Sequence, residues 1–376
     1  MISRPFYNLL DAVQAPARGL SAKQILVSAL SLIAGLLVFD FFRYLAYMEQ
    51  GENLGLVFDL YGFFPFDSPP HGRILAQLLY AIGVGGAALC VMCGLTAVSI
   101  IHVEAIRGNA FMSPRKAIQF VRSRFRQLLS AVAAIAMFVG LIVALFAIFG
   151  VITRIPLLGD LLFALFVVPN FIIALFAVFI LFVAVIGILL LPAVAATERK
   201  RESFGVILET FSIIIRQPSR WIGYTIVSGA LAKVATFLFA YFSYRAIEFM
   251  AFATSIGGGE KIRKLVGAGL ALLPADSPLF RFFCNIFPGV RWSFDFDKLS
   301  GPSGGGIAAH LVGLMLFVIF AAIMGYFMSS IAAGQVYTYV GIKKSKDGHD
   351  VANEKPLFFE EEHVNPEIRP ESGGEN

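Results

Sequence analysis

The ionisable side chains that lie within apolar stretches are the residues of this sequence best suited to chemistry. Lys233 stands in SGALAKVATFLFAYF, 12 residues after Trp221, which places it about 18 Å along a helix. Asp40 and Arg43 stand in LLVFDFFRYL with i, i+3 spacing, so they can pair on one helix face. A charge among apolar residues must be paired, hydrated or neutral, which indicates either an ion, proton or substrate site or a structural salt bridge. We predict a polar site formed by Lys233, Asp40 and Arg43, with Asp40 as the partner of Lys233.

Side chains that bind metals are too scattered for a metal site. The five histidines stand at 71, 102, 310, 349 and 363, and Cys90 and Cys93 form CVMC in an apolar run with no further ligand close in sequence. The glycine-rich stretches GGGE and GPSGGG lack the pattern of phosphate-binding loops. The sequence therefore predicts no metal site, no cofactor and no enzyme activity.

The elements that must hold these side chains are apolar helices. The chain of 376 residues is 58% hydrophobic and only 15% charged, whereas a soluble domain carries about 25% charged residues. Runs of roughly 18 or more apolar residues indicate membrane-spanning helices. We predict an all-α, polytopic membrane helical bundle with about six transmembrane helices. The predicted spans are 25–47, 74–101, 128–151, part of 161–196, 221–244 and 307–333.

The fourth apolar stretch is longer than one span requires, and Pro169 interrupts it. Crossing a hydrocarbon core of about 30 Å takes about 20 residues. One interpretation makes 155–168 a separate, half-inserted segment, with the span beginning near Phe171. The other is one long, tilted helix with a kink at the proline.

A basic amphipathic helix is predicted at 113–132, SPRKAIQFVRSRFRQLLSAV. Ser113 can cap its first turn and Pro114 suits the first helical position. Such a helix indicates a position in the cytoplasmic headgroup layer, with cations toward anionic lipid, rather than nucleic-acid binding. A second helix of this kind precedes the fifth span. The predicted headgroup-binding residues are Arg115, Lys116, Arg122, Arg124, Arg126, Arg216 and Arg220.

A unit of elbow helix, span, outer loop and span occurs three times, at about 3–101, 113–197 and 203–340. Repeats of this kind are common in membrane transport folds. We divide the chain into 1–101, 102–197 and 198–342, the last with a long outer loop at 245–306. The tail, 343–376, is polar and rich in proline and glycine, and is predicted to be disordered.

The cations predict the orientation of the chain. The 102–127 loop holds six Lys or Arg residues, whereas the 49–72 loop holds none. By the positive-inside rule both termini are predicted to be cytoplasmic.

Three stretches carry a resemblance to a known group. They are RIPLLGDLL (154–162), LLLPAVAATER (189–199) and ESFGVILETFSIIIRQPSRWIGY (202–224). Across roughly 100–230 the chain resembles bacterial integral membrane proteins related to the membrane domain attached to some glycerophosphodiester phosphodiesterases. The catalytic domain has no counterpart in this sequence. The resemblance implies a membrane module that handles or senses lipid, or that supports a complex.

Two functions follow as expectations. Repeated modules without a polar constellation predict a non-enzymatic scaffold or accessory subunit with membrane lipids and protein partners, or a second copy, around it. The alternative is a transporter or lipid-handling permease with a mid-membrane site at Lys233. No nucleic-acid partner is expected.

Overall fold

The computed structural model describes residues 4–61, 72–155, 158–199, 203–273 and 306–358, and these ranges form an all-α bundle with no strand. The prediction of the fold class is thereby confirmed. The helices are α1 Leu9–Val13, α2 Ala15–Gly19, α3 Ala22–Gln50, α4 Leu54–Tyr61, α5 Ile74–Ile106, α6 Pro114–Ile152, α7 Leu158–Thr197, α8 Ser203–Arg216, α9 Pro218–Gly258, α10 Glu260–Ala271 and α11 Ile307–Asp347, and a 3-10 turn follows at Val351–Asn353.

Five helices in the described ranges are long and apolar enough to cross a membrane, so the chain is a multi-pass membrane protein. They contain the predicted first, second, fourth, fifth and sixth spans. The predicted third span, 128–151, lies in α6. The apolar helix found there among the described residues, Gly140–Ile152, is too short to cross a membrane. This crossing stays a prediction.

Helix α6 differs from the predicted elbow and span because it is one continuous helix of 39 residues. The predicted start is confirmed, since the Ser113 side chain accepts a hydrogen bond from the Lys116 amide and Pro114 begins the helix. No glycine or proline stands between Pro114 and Gly140, so nothing in the chain forces a turn between the basic part and the apolar part. The expectation of a separate elbow helix was wrong here.

Helix α7 decides between the two interpretations of the fourth stretch. It runs unbroken over 40 residues with Pro169 and Pro192 inside it. The long helix that contains the proline is therefore correct, and the separate half-inserted segment at 155–168 is not.

Two predicted irregular regions are partly helical. Helix α9 continues through 245–258 and α10 follows at once, so the predicted outer loop at 245–306 was wrong for 245–271, and 274–305 lies outside the described residues. Helix α11 continues to Asp347, and residues 348–358 pack on the bundle. The prediction of a disordered tail was wrong for 343–358, and 359–376 lies outside the described residues.

The packing centres on α11, which has α3 on one side and α9 on the other, while α5 packs along α3. Small residues allow these close approaches. A Cβ atom added at Gly325 of α11 would lie 2.6 Å from the Ile25 carbonyl oxygen and 2.9 Å from the Ala29 nitrogen of α3. The two backbones therefore touch at this crossing, as in membrane bundles whose interfaces are rich in glycine and alanine.

The largest buried core lies at one end of the bundle, which we call the basic end. It is the end at which α3, α6 and α9 begin and α5, α7 and α11 end. Contacts among these termini place them together: the Lys23 ammonium donates to the Ala110 and Met112 carbonyls, and the Arg220 guanidinium to the Ser345 hydroxyl. Val98, Ile100, Leu190, Val194, Val336 and Val340 are fully buried there.

Candidate functional site

The predicted polar site is spread over two helices that do not pack on each other along a shared seam. Asp40 and Arg43 lie on α3, Lys233 lies on α9, and α11 stands between these helices. Asp40 is about 27 Å from the start of α3 and Lys233 about 22 Å from the start of α9, taking 1.5 Å per residue. Both side chains are half-buried. The pairing of Asp40 with Lys233 stays a prediction.

Arg43 is the largest fully buried side chain among the described residues, at 1% exposure. Its guanidinium donates to the Tyr47 hydroxyl at 3.0 Å and lies over the rings of Tyr47 and Tyr80, at 4.2 and 5.1 Å from their centroids. Cation–π contacts of this kind gain strength where the cation is desolvated. One oxygen of the Asp40 carboxylate, one helical turn before Arg43, is buried and makes no hydrogen bond to the described residues.

The basic end holds a second polar cluster that the sequence interpretation did not single out. Glu104 lies near the end of α5 and Arg107 lies just past it, and neither side chain is exposed. The Arg107 Nη1 atom is 3.4 Å from Glu104 Oε1. Arg107 also donates to the Thr197 carbonyl at the end of α7, at 3.0 Å, and to Glu354 at 2.5 Å. One guanidinium therefore joins α5, α7 and the C-terminal segment. The i, i+3 spacing of Glu104 and Arg107 was the one local signal of this cluster.

Arg124 was predicted to bind lipid headgroups, but the structure buries it at 4% exposure on α6. Its guanidinium donates to the Glu198 and Arg199 carbonyls at 2.8 and 3.0 Å, and to Gln127 at 3.0 Å. The carbonyls that follow a helix end have no partner within the helix, so a cation is favoured there. Arg124 fastens α6 to the end of α7. Of the remaining predicted headgroup residues, Lys116 is half-buried. The others are exposed, namely Arg115, Arg122, Arg126, Arg216 and Arg220.

Glu198 links the end of α7 to α11. Its carboxylate accepts from the Tyr339 hydroxyl at 2.6 Å and pairs with the Lys343 ammonium. Burial alone would raise the pKa of Glu198, but the hydrogen bonds from Lys343 and Tyr339 lower it below the usual range. The carboxylate is therefore ionised at neutral pH.

The N-terminal residues complete the cluster from the other side. Asp11 pairs with Arg18 at 2.9 Å, and both side chains are buried. The Arg18 guanidinium stacks on the Tyr337 ring of α11 at 3.6 Å, and the His102 ring of α5 meets the edge of the same ring. The apolar face of this segment points away from the protein, because Phe6, Leu9, Leu10 and Val13 are all exposed.

The C-terminal segment is bound by charges from several helices. Glu354 contacts Arg107, lies 3.1 Å from the Arg199 guanidinium and 2.6 Å from His349. Burial would raise the pKa of Glu354, but the hydrogen bond from His349 and the charge of Arg107 lower it. Asp350 accepts from the Tyr7 hydroxyl and from Lys344, so it joins both ends of the chain.

The lowered pKa of Glu354 predicts a pH dependence. A carboxylate of this kind stabilises the fold above its unfolded pKa of about 4.3, and the contribution is lost as pH falls through the folded pKa. We expect Glu354→Gln to lower the free energy of unfolding at pH 7 by about 1–3 kcal/mol, the range for charge-assisted hydrogen bonds and for the groups left unpaired. Thermal unfolding of both proteins from pH 7 to pH 3 should show the difference closing below about pH 4. A difference that is constant over this range would contradict the assignment.

Chemically, the basic end is suited to holding helices together. Its buried charges are matched with opposite charges or with helix carbonyls, an arrangement that fixes geometry. Within the described ranges, no three His, Cys, Asp or Glu side chains group as metal ligands. Comparisons with protein-family models, with curated proteins and with solved structures give no match.

Proposed function

We propose that this chain is a non-enzymatic scaffold or accessory subunit of a membrane complex, and that α6 and α7 form the element that binds a membrane-embedded partner. The carrying observation is the exposure of this helix pair. In the most apolar 18-residue stretch of Gly159–Val183, only 6% of the residues are buried within the protein. In the corresponding stretch of Ile74–Ile106, 50% of the residues are buried. A helix held at its base and uncovered along its apolar length is suited to association with another membrane helix.

Contacts within the pair lie at its ends. Near the outer turn the Phe149 ring meets Phe163 and Phe166, with centroids 6.4 and 6.2 Å apart. Below this turn, a Cβ atom added at Gly140 would meet nothing within 4 Å. Among the described residues, the protein therefore places no atom against α6 at Gly140.

A row of small residues supports a helix, rather than lipid alone, as the neighbour of α6. Gly140, Ala144 and Ala147 are spaced i, i+4 and i+7, so they share one face, and all three are exposed. Interfaces between membrane helices are enriched in such residues because they allow backbones to approach closely. Side chains in this row offer little surface to lipid tails.

The base of the pair is fixed. Arg124 of α6 binds the carbonyls that follow α7, and Arg107 of α5 binds the last carbonyl of α7. These contacts are charge-assisted, which makes them strong and directional, and the Arg107 bond is buried. The two helices are thus presented from a rigid base.

The position of the protein in the cell is part of the proposal. We assign the basic end, with its exposed Arg115, Arg122, Arg126, Arg216 and Arg220, to the cytoplasmic side of a bacterial inner membrane. The positive-inside rule and the attraction of anionic lipid for such residues support this orientation. Both termini are then cytoplasmic.

The test is extraction of the tagged protein from its native membrane in mild detergent, followed by native mass spectrometry. We expect the native chain to retain a stoichiometric partner. With Gly140→Leu the amount of bound partner should fall by at least about tenfold, because a larger side chain in a close helix contact costs a kcal/mol or more. Leu145→Phe, which enlarges an exposed side chain on the far side of α6, is the matched control and should retain the partner. A lone chain that retains one specific lipid would contradict the scaffold function.

A second function has one observation in its favour. The orphan oxygen of Asp40, next to the buried Arg43, supports a transporter or lipid-handling permease with a mid-membrane polar site around Lys233. Reconstituted protein would be assayed for lipid or ion transfer, with Asp40→Asn and Lys233→Ala compared against the exposed Arg245→Ala. Equal activity of all variants would exclude this site.

A further inference from the structure

The segment 348–358, which we call the strap, lies in a polar groove at the basic end. The backbone amides of Leu357 and Phe358 donate to the Glu104 carboxylate, at 3.0 and 3.3 Å. The Asn109 side chain donates to the Phe358 carbonyl at 3.3 Å. The groove therefore contacts both donor and acceptor groups of the strap backbone.

Side chains add recognition to these backbone contacts. Glu354 lies between Arg107 and Arg199, and Arg199 also donates to the Lys355 carbonyl at 2.6 Å. The Phe358 ring meets the edge of Phe120, with centroids 6.4 Å apart. The groove thus selects a carboxylate at one position and an aromatic ring four residues later.

The strap sequence is suited to this groove. Pro356 has no amide hydrogen to satisfy, and it restricts Lys355 to an extended backbone. The two residues that follow the proline are the ones whose amides meet Glu104. The pattern recognised is therefore Glu-x-Pro-apolar-Phe, with a turn at its last two residues.

Several contacts that form the groove do not involve the strap. Arg107 pairs with Glu104 and donates to the Thr197 carbonyl, and Arg124 donates to the Glu198 and Arg199 carbonyls. A preformed site of this kind reduces the cost of binding a segment.

Polar contacts run along the strap, and its apolar contacts are limited to Val351, which is buried in the core, and to Ala352 and Phe358, which pack against it. Val351 is its one fully buried side chain, while Leu357 is 37% exposed and Lys355 is exposed. Segments with few buried apolar contacts open locally without global unfolding. We infer that the groove is a peptide-docking site that binds the strap reversibly and accepts in its place a partner segment of the same pattern, Glu-x-Pro-apolar-Phe.

The experiment uses the full chain in nanodiscs and a labelled synthetic peptide of residues 349–358, HDVANEKPLF. We expect saturable binding of the peptide, and hydrogen exchange of the Leu357 and Phe358 amides faster by at least about tenfold when it is in excess. A peptide with Ala in place of Glu354 is the control and should do neither. The readouts do not involve the exposed part of α6 around Gly140, so their outcome is separate from that of the scaffold test.

Two variants test the contacts themselves. Glu354→Gln leaves the groove unchanged and should speed exchange of the strap amides by about tenfold, the effect of losing a charge-assisted bond. Glu104→Gln should do the same, and Glu260→Gln, at the opposite end of the bundle, should not. Strap amides that exchange as slowly as the buried amides of α5, together with no peptide binding, would overturn the inference and make the strap a permanent part of the fold.

Discussion

Arg107→Met is expected to lower the free energy of unfolding by about 3–5 kcal/mol, the cost of leaving a buried partner charge uncompensated. The Arg107 side chain has no exposure and binds Glu104, Glu354 and the Thr197 carbonyl. Methionine fills similar space, so the loss comes from charge and hydrogen bonding rather than from a cavity. The measurement is unfolding in mixed detergent micelles, followed by helix content.

Two further variants separate the causes of this loss. Arg126→Met removes an exposed cation from α6 and should change stability by no more than about 0.5 kcal/mol. The double variant Glu104→Gln, Arg107→Met should recover part of the loss, because the buried carboxylate is neutralised along with its partner. A cost below about 1 kcal/mol for Arg107→Met would mean that the guanidinium is not the joint between α5 and α7.

Helix existence could be predicted in this chain because it depends on local composition. The apolar runs around α3, α5, α9 and α11 exceed the length that a membrane requires, and each became a helix. Helix ends were harder to predict. Beyond Tyr244 the chain becomes more polar, which suggested a loop, yet 245–273 contains no proline and its helices continue for that reason. Polarity marks the edge of a membrane better than it marks the end of a helix.

The candidate site at the basic end depends on contacts that no local pattern contains. Glu104 meets residues 253 and 254 positions later, and Arg124 meets carbonyls 74 and 75 positions later. The cations of this region were counted as a lipid-facing set, and Arg124 belongs instead to the buried face of α6. Its neighbours Arg122 and Arg126 are exposed, so only the helical phase separates the two roles. That phase is set by the packing of Ala117, Phe120 and Leu128, all of which are buried.

The order of the strap likewise could not be predicted from its own composition. Its composition is polar, with proline and glycine nearby, which is typical of segments that cannot bury enough apolar surface. Order comes instead from Glu104 and Arg107, two charges presented by the end of α5. A composition rule considers the segment alone, whereas here the partner groups lie on another part of the chain.

The second large effect is expected at the crossing of α3 and α11. Gly325→Ala should cost about 1–3 kcal/mol, and Gly325→Leu more, because overpacking forces backbones apart. The neighbours of the added Cβ are the Ile25 carbonyl oxygen and the Ala29 nitrogen, at 2.6 and 2.9 Å. Neither atom belongs to a flexible side chain, so relief requires one helix to move. Unfolding in mixed micelles measures the cost, as for Arg107→Met.

Gly223→Ala on α9 is the matched control, since a Cβ there meets nothing within 4 Å. Alanine favours a helix over glycine by about 0.8–1.0 kcal/mol in water, so this variant should be neutral or more stable. The contrast between the two glycines separates backbone contact from helix propensity, because both stand within long helices. If Gly325→Ala were as stable as the native chain, α11 would not lie against the backbone of α3, and the central position of α11 between α3 and α9 would fail with it.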